Sequence, residues 1–190
     1  MFLAHRPSAR EIEEFIRNSQ SLPLSYAQVG LAKQSRSDFR IDEALGAIGR
    51  GMPVFERAKL ALREWRHFEL GWVESFPKNA SIEPGTTVAV LIHHCGFWSL
   101  NGCRVVYGVG DRRSNAGFGF AYGTLTNHAE MGEEIFQVSI SPESEEVSYS
   151  IRAASKPRAA LARIAYPITR LLQARFRRES ISAMRRAVSG

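Results

Sequence analysis

Two histidines, two cysteines and a tryptophan fall within the eleven residues of HHCGFWSLNGC, 93–103. Imidazole and thiolate together are zinc ligands, and a thiolate beside an imidazole is a nucleophile. The spacing argues for neither. His93 and His94 are neighbours in a strand-forming run, so they point to opposite faces. A zinc site needs a second closely spaced pair, and His5, His67 and His128 are scattered singly. Arg104 and His94 could activate a thiol, but no spacing requires it. No metal is expected. The stretch reads as a hairpin in a sheet, with Asn101-Gly102 as its turn and a cysteine packed as a small apolar side chain.

Glu134 is the acid with most chemical promise. In GEEIFQVSI it shares a face with Phe136, Val138 and Ile140, while Glu133 shares the polar face with Gln137 and Ser139. A carboxyl on an apolar face must be paired, hydrogen-bonded or protonated, unless it sits at the wet end of its strand. Tyr107, Tyr122 and Tyr149 could present hydroxyls beside it or serve as core aromatics. GFGFAYG puts Gly117, Gly119, Ala121 and Gly123 on one face and Phe118, Phe120 and Tyr122 on the other. Its glycines lack the dinucleotide-binding spacing. They either permit curvature and close approach or leave volume for a ligand. No GxSxG, Walker or HExxH sequence is present, and no cofactor is expected.

The third chemical feature is a set of arginines. From Lys156 onward nine basic residues face one acid, a net +8 that leaves −2 on the rest of a chain of net +6. Arg163, Arg170, Arg177, Arg178 and Arg185 fall on one helical face, suited to an anionic membrane or nucleic acid. Stacking aromatics are not interleaved there, so at most a weak contact with an anionic surface is expected and no specific nucleic acid. A solvated outer face accounts for the stripe equally, and Arg185 and Arg186 also suit a helix C-terminus.

The elements that position these groups follow from periodicity. AREIEEFIRNSQ is a short helix with Ser8 as its N-cap, an N-terminal extension over 1–21. LSYAQVGLA reads as a strand and KQSRSDFRID as a loop. Pro53 opens an amphipathic helix of about four turns, carrying Phe55, Ala58, Leu62, Trp65 and Phe68 on one face. Six strand-like runs follow between about 72 and 154, separated by Gly-, Pro-, Asn- and Ser-rich breaks short enough to demand antiparallel pairing. The final segment from Lys156 to Val188 reads as one long helix, kinked or split at Pro167, with Leu161, Ile164, Ala165, Ile168, Leu172, Phe176, Ala183 and Ala187 on its apolar arc. No apolar run reaches the roughly 18 residues of a membrane helix, and two cysteines with no export signal suit the cytoplasm.

WSLNGCRVVYGV, GFGFAYGTLTNHAEMGEEIFQV and ALARIAYPITRLLQARFRRESISAM, with FERAKLALREWRHFELGWVE and PGTTVAVLIHH, resemble an uncharacterised bacterial and plant family. It is the family called domain of unknown function 1990, or uncharacterised protein family 0548. The resemblance covers roughly residues 22–187. Element order independently predicts a single α+β domain over 1–190, a curved antiparallel sheet of about six or seven strands gripping the C-terminal helix. A link to the START and Bet v 1-like helix-grip superfamily would imply a hydrophobic small molecule as ligand. The expected cavity is lined by His94, Tyr107, Phe120, Tyr122, Glu134, Phe136, Tyr149, Ile168 and Leu172. Its expected use is binding a hydrophobic or amphipathic molecule, with acid–base catalysis by Glu134 as an alternative.

Overall fold

The computed structural model describes residues 2–34, 38–110, 116–157 and 166–189. In chain order the elements are β1 (Phe2–Leu3), α1 (Ala9–Ser19), β2 (Arg40–Arg50), α2 (Met52–Arg63), β3 (Val73–Phe76), β4 (Thr87–His94), β5 (Phe97–Val109), β6 (Gly117–Thr124), β7 (Glu130–Ile140), β8 (Glu146–Pro157) and α3 (Tyr166–Val188). Single 3-10 turns lie at Leu31–Lys33 and Arg66–Phe68. Strands β3 to β8 form an antiparallel meander, and β2 closes against β8, giving the order β2-β8-β7-β6-β5-β4-β3. β1 pairs with β5.

The sheet is curled into a half-barrel, and its glycines show how. A Cβ on Gly119 would lie 2.1 Å from the Phe136 carbonyl oxygen, and one on Gly132 would lie 2.1 Å from that of Ala154. Neighbouring strands therefore approach more closely than side chains allow, and the sheet bends. A Cβ on Gly123 would lie 2.0 Å from the Tyr26 hydroxyl, so here the missing side chain admits a covering segment. Of the two readings of GFGFAYG, curvature and close approach hold.

Inside the curl, α2 and α3 bury the apolar face. Phe55, Ala58 and Leu62 of α2 are buried in the main core with Phe120, Phe136, Val138, Tyr149 and Ile151 of the sheet. Each large side chain removed from water stabilises the fold by about 1.5–3 kcal/mol. The helix ends at Arg63, earlier than its periodicity suggests, because Trp65 turns left-handed (φ 58). That turn drives Trp65, His67 and Phe68 into the core, and the Trp65 indole donates to the Ala80 carbonyl at 2.8 Å. At the other end, α1 begins with a capping box between Ser8 and Glu11 and packs Ile12 beside Leu91 and Leu100.

Several expectations need correction. LSYAQVGLA is no strand: apart from a single bridge between Leu24 and Leu125, it runs as a strap over the outer face of the sheet. Arg40–Arg50, expected in part as loop, is a long strand. Its residues are small because helices lie against it: Cβ atoms on Gly46 and Gly49 would come within 2.6 and 2.7 Å of Ile181 and Val54. The 93–103 hairpin exists, but it turns at Cys95-Gly96, both at positive φ (49 and 78). Asn101-Gly102 lies within β5, where the bare glycine admits the Asn127 amide. Lys156 and Pro157 end β8 instead of opening a helix. Arg163, with Leu161, Ile164 and Ala165, falls outside the described residues. Pro167 is the second residue of α3, so the expected kink falls at the border of the described residues.

Candidate functional site

A cavity of about 700 Å³ lies between the curled sheet and α3. Its apolar wall includes Phe68, Trp72, Val73, Val90 and Ile92, with Leu172 and Phe176 from α3. Phe2, Phe97 and Ile168 line it and are also exposed, 66%, 53% and 48%, which sets them at the mouth. His94 and Cys95, from the β4–β5 turn, join them.

Tyr122 and Glu134 face each other across β6 and β7, and the phenol donates to a Glu134 carboxylate oxygen at 2.8 Å. The accessible surface of Glu134 faces the cavity. Burial pushes its carboxyl up to about 7, against the opposing pull of the Tyr122 hydrogen bond and the Arg177 charge. Tyr122 is pushed well above its usual range by burial and the neighbouring carboxylate. Glu130, two pairs of residues earlier on the same face, is also raised by burial, and Gln173 donates to both its oxygens at 2.9 Å. Beside them Asp42 of β2 binds Arg170 through two hydrogen bonds and lies 3.7 Å from Arg177. The Arg170 hydrogen bond holds the Asp42 carboxyl below its usual value.

Of the expected lining residues, His94, Tyr122, Glu134, Ile168 and Leu172 do border the cavity. Phe120, Phe136 and Tyr149 do not: all three are fully buried in the core, where Tyr149 shares a hydrogen bond with Ser180 at 3.0 Å. Tyr107 points to the other face. A bulge between Val105 and Tyr107 adds one residue to β5 and reverses the alternation beyond it. There Tyr107, Tyr26 and the amides of Gly30 and Ala32 all donate to Glu133, the amides at 2.8 and 3.2 Å. Glu133, expected on the polar face, is 2% exposed and pins the strap to the sheet.

The arginine stripe is divided. Arg170 and Arg177 turn inward to Asp42, with side chains 19% and 14% exposed. Arg178 and Arg185 are exposed, and Arg185 donates to the Ala47 carbonyl of β2 at 2.8 Å. Sequence reasoning missed Glu130, which lies just before the GEEIFQVSI run but within β7. Its even spacing from Glu134 and Phe136 was the available signal. Asp42 and Gln173 gave none, since their meeting depends on how α3 crosses β2 and β7. Among the described residues no group of three or more His, Cys, Asp or Glu side chains could hold a metal ion. None of the described helices is long and apolar enough to cross a membrane.

A curled antiparallel sheet whose main path runs through seven strands, closed by a C-terminal helix over a cavity, is the helix-grip fold. TTHA0849 from Thermus thermophilus shares the fold, with a TM-score of 0.53, 11% identity, and coverage of 78% of this chain and 97% of that one. Residues 25–183 match the family described as domain of unknown function (DUF1990), and the chain belongs to that family. The UPF0548 protein of Dictyostelium discoideum is 31% identical over 207 residues, covering 99% of this chain and 96% of its own. The UPF0548 protein of Arabidopsis thaliana is 28% identical, covering 97% and 96%.

Proposed function

We propose that the protein binds a small hydrophobic or amphipathic molecule in the cavity between sheet and α3, in a reducing compartment such as the cytoplasm. One observation carries this reading: a cavity of about 700 Å³, walled by Phe68, Val90, Ile92, Leu172 and Phe176, with few polar groups at one side. Ligand sites are of this size and character. A void of that size left unfilled would forfeit packing that a compact core normally keeps. The test is native mass spectrometry of freshly purified protein, together with titration of an apolar fluorescent dye. A small-molecule adduct or saturable dye uptake is expected, with uptake weakened in Leu172→Trp, which narrows the cavity. Neither adduct nor uptake in the wild type would overturn the reading.

A second reading rests on Glu134. A carboxyl held at about 7 can both give and take a proton at neutral pH, and it sits in the wall with Tyr122 at 2.8 Å. Under this reading the cavity is a reaction chamber and Glu134 its acid or base. A compound recovered from the protein and returned unchanged after prolonged incubation would count against it.

A further inference from the structure

The polar side of the cavity holds two carboxyls whose hydrogen-bond donors are neutral. Glu130, Glu134 and Arg177 line it, and Asp42 lies near them with Arg40 and Arg170. Three guanidiniums lie against Asp42, Arg170 through two hydrogen bonds, Arg40 at 3.6 Å and Arg177 at 3.7 Å. Glu130 and Glu134 accept hydrogen bonds from neutral donors, the Gln173 amide and the Tyr122 phenol. All three of these cations are engaged by Asp42, and among the described residues Glu130 and Glu134 form no ion pair. Beside them stand three rings of one aromatic group: Phe68 lies 6.2 Å from Tyr122 and 5.2 Å from Phe176, centroid to centroid. A carboxylate flanked by aromatic faces in a desolvated site is a setting that favours an ammonium ion.

Resting on the ligand-binding reading above, we propose that the occupant is an amphipathic organic cation, an apolar body whose protonated amine sits at Glu134 among Phe68, Tyr122 and Phe176. The cation pairs with a carboxyl that otherwise accepts from a neutral phenol, and the body lies along the apolar wall. A carboxylate ligand would set a like charge beside Glu134, because Asp42 already engages the three arginines. A neutral alcohol would leave Glu134 without a cationic partner.

Decylamine, decanol and decanoate separate these cases, since they share a chain length and differ in head group. Each is titrated calorimetrically into the full-length protein at neutral pH. Decylamine is expected to bind about tenfold more tightly than decanol, the gain of one desolvated charge-assisted contact, with decanoate weakest. In Glu134→Gln the gap between amine and alcohol closes. In Glu130→Gln it narrows. Decanoate binding as tightly as decylamine, or a gap that survives in both variants, overturns the proposal and leaves the apolar pocket standing. Equal binding by all three does the same. If none of the three binds, the proposal and the ligand-binding reading fall together. Should Glu134→Gln fail to fold, the wild-type ranking and Glu130→Gln still decide.

Discussion

Replacing His67 by leucine should change how the stability of this protein responds to acid. The His67 ring is fully buried among Trp65, Phe68, Phe120 and Phe136, and neither nitrogen has a hydrogen-bond partner among the described residues. Burial depresses its pKa from 6.5 to about 3. In the unfolded chain the same ring takes up a proton once the pH falls below 6.5. Between these values the unfolded state binds the extra proton, so stability falls with acidification. At pH 5, one and a half units below the unfolded value, the loss is about 2 kcal/mol. Glu134 acts oppositely: its raised pKa lets the folded state hold a proton that the unfolded state releases, adding stability as the pH drops below 7. The wild-type profile therefore mixes the two, and only the difference between proteins isolates His67. Leucine is apolar and close in volume, so repacking should cost less than about 1.5 kcal/mol. Urea unfolding followed by tryptophan fluorescence at pH 7, 6 and 5 provides the measurement. The stability of His67→Leu relative to wild type should rise by about 2 kcal/mol from pH 7 to pH 5. Parallel profiles would refute the argument and show that the ring titrates normally in the folded protein.

Two further outcomes concern the strap and the two thiols. Glu133→Gln leaves one acceptor oxygen for two phenols and two amides, so stability should drop by about 3 kcal/mol and proteolysis near Gly30 should accelerate. An unchanged melting temperature would show that the strap is held by its apolar contacts alone. Cys95 is exposed and Cys103 is fully buried, its thiol pushed up by burial. A disulfide reagent should therefore titrate one thiol in the native protein and both only after unfolding. Two fast-reacting thiols would contradict this packing.

Much of the fold was legible in the sequence because the meander from β3 to β8 obeys simple alternation with strong breakers between strands. Glu134 and Tyr122 were placed correctly for that reason, each lying on the face that alternation assigned. β2 was illegible because it trades β-forming residues for Ala44, Gly46, Ala47 and Gly49, and the helices that need this smallness are distant in sequence. Tyr107 was misplaced by a single bulge residue, which periodicity cannot register. Asn101-Gly102 carried a genuine turn signal, but its glycine serves a tertiary contact with Asn127 instead. Phe120, Phe136 and Tyr149 had the right facing for a cavity. Only the positions of α2 and the Trp65 turn decided that they would be packed solid.

The adjacent acids of β7 set a condition on how the chain can mispair. In the observed register Glu133 stands opposite Ala154 and Glu134 opposite Ala153. A shift of one position, as a single-residue insertion upstream within the strand would impose, exchanges their sides. Phe136 and Val138 would then be expelled from the interior together with the exchange, and two phenols and two amides would lose their shared acceptor. An error that a uniformly greasy strand would tolerate is thus penalised on both surfaces at once, so this pair of carboxyls also helps the sheet assemble in only one frame.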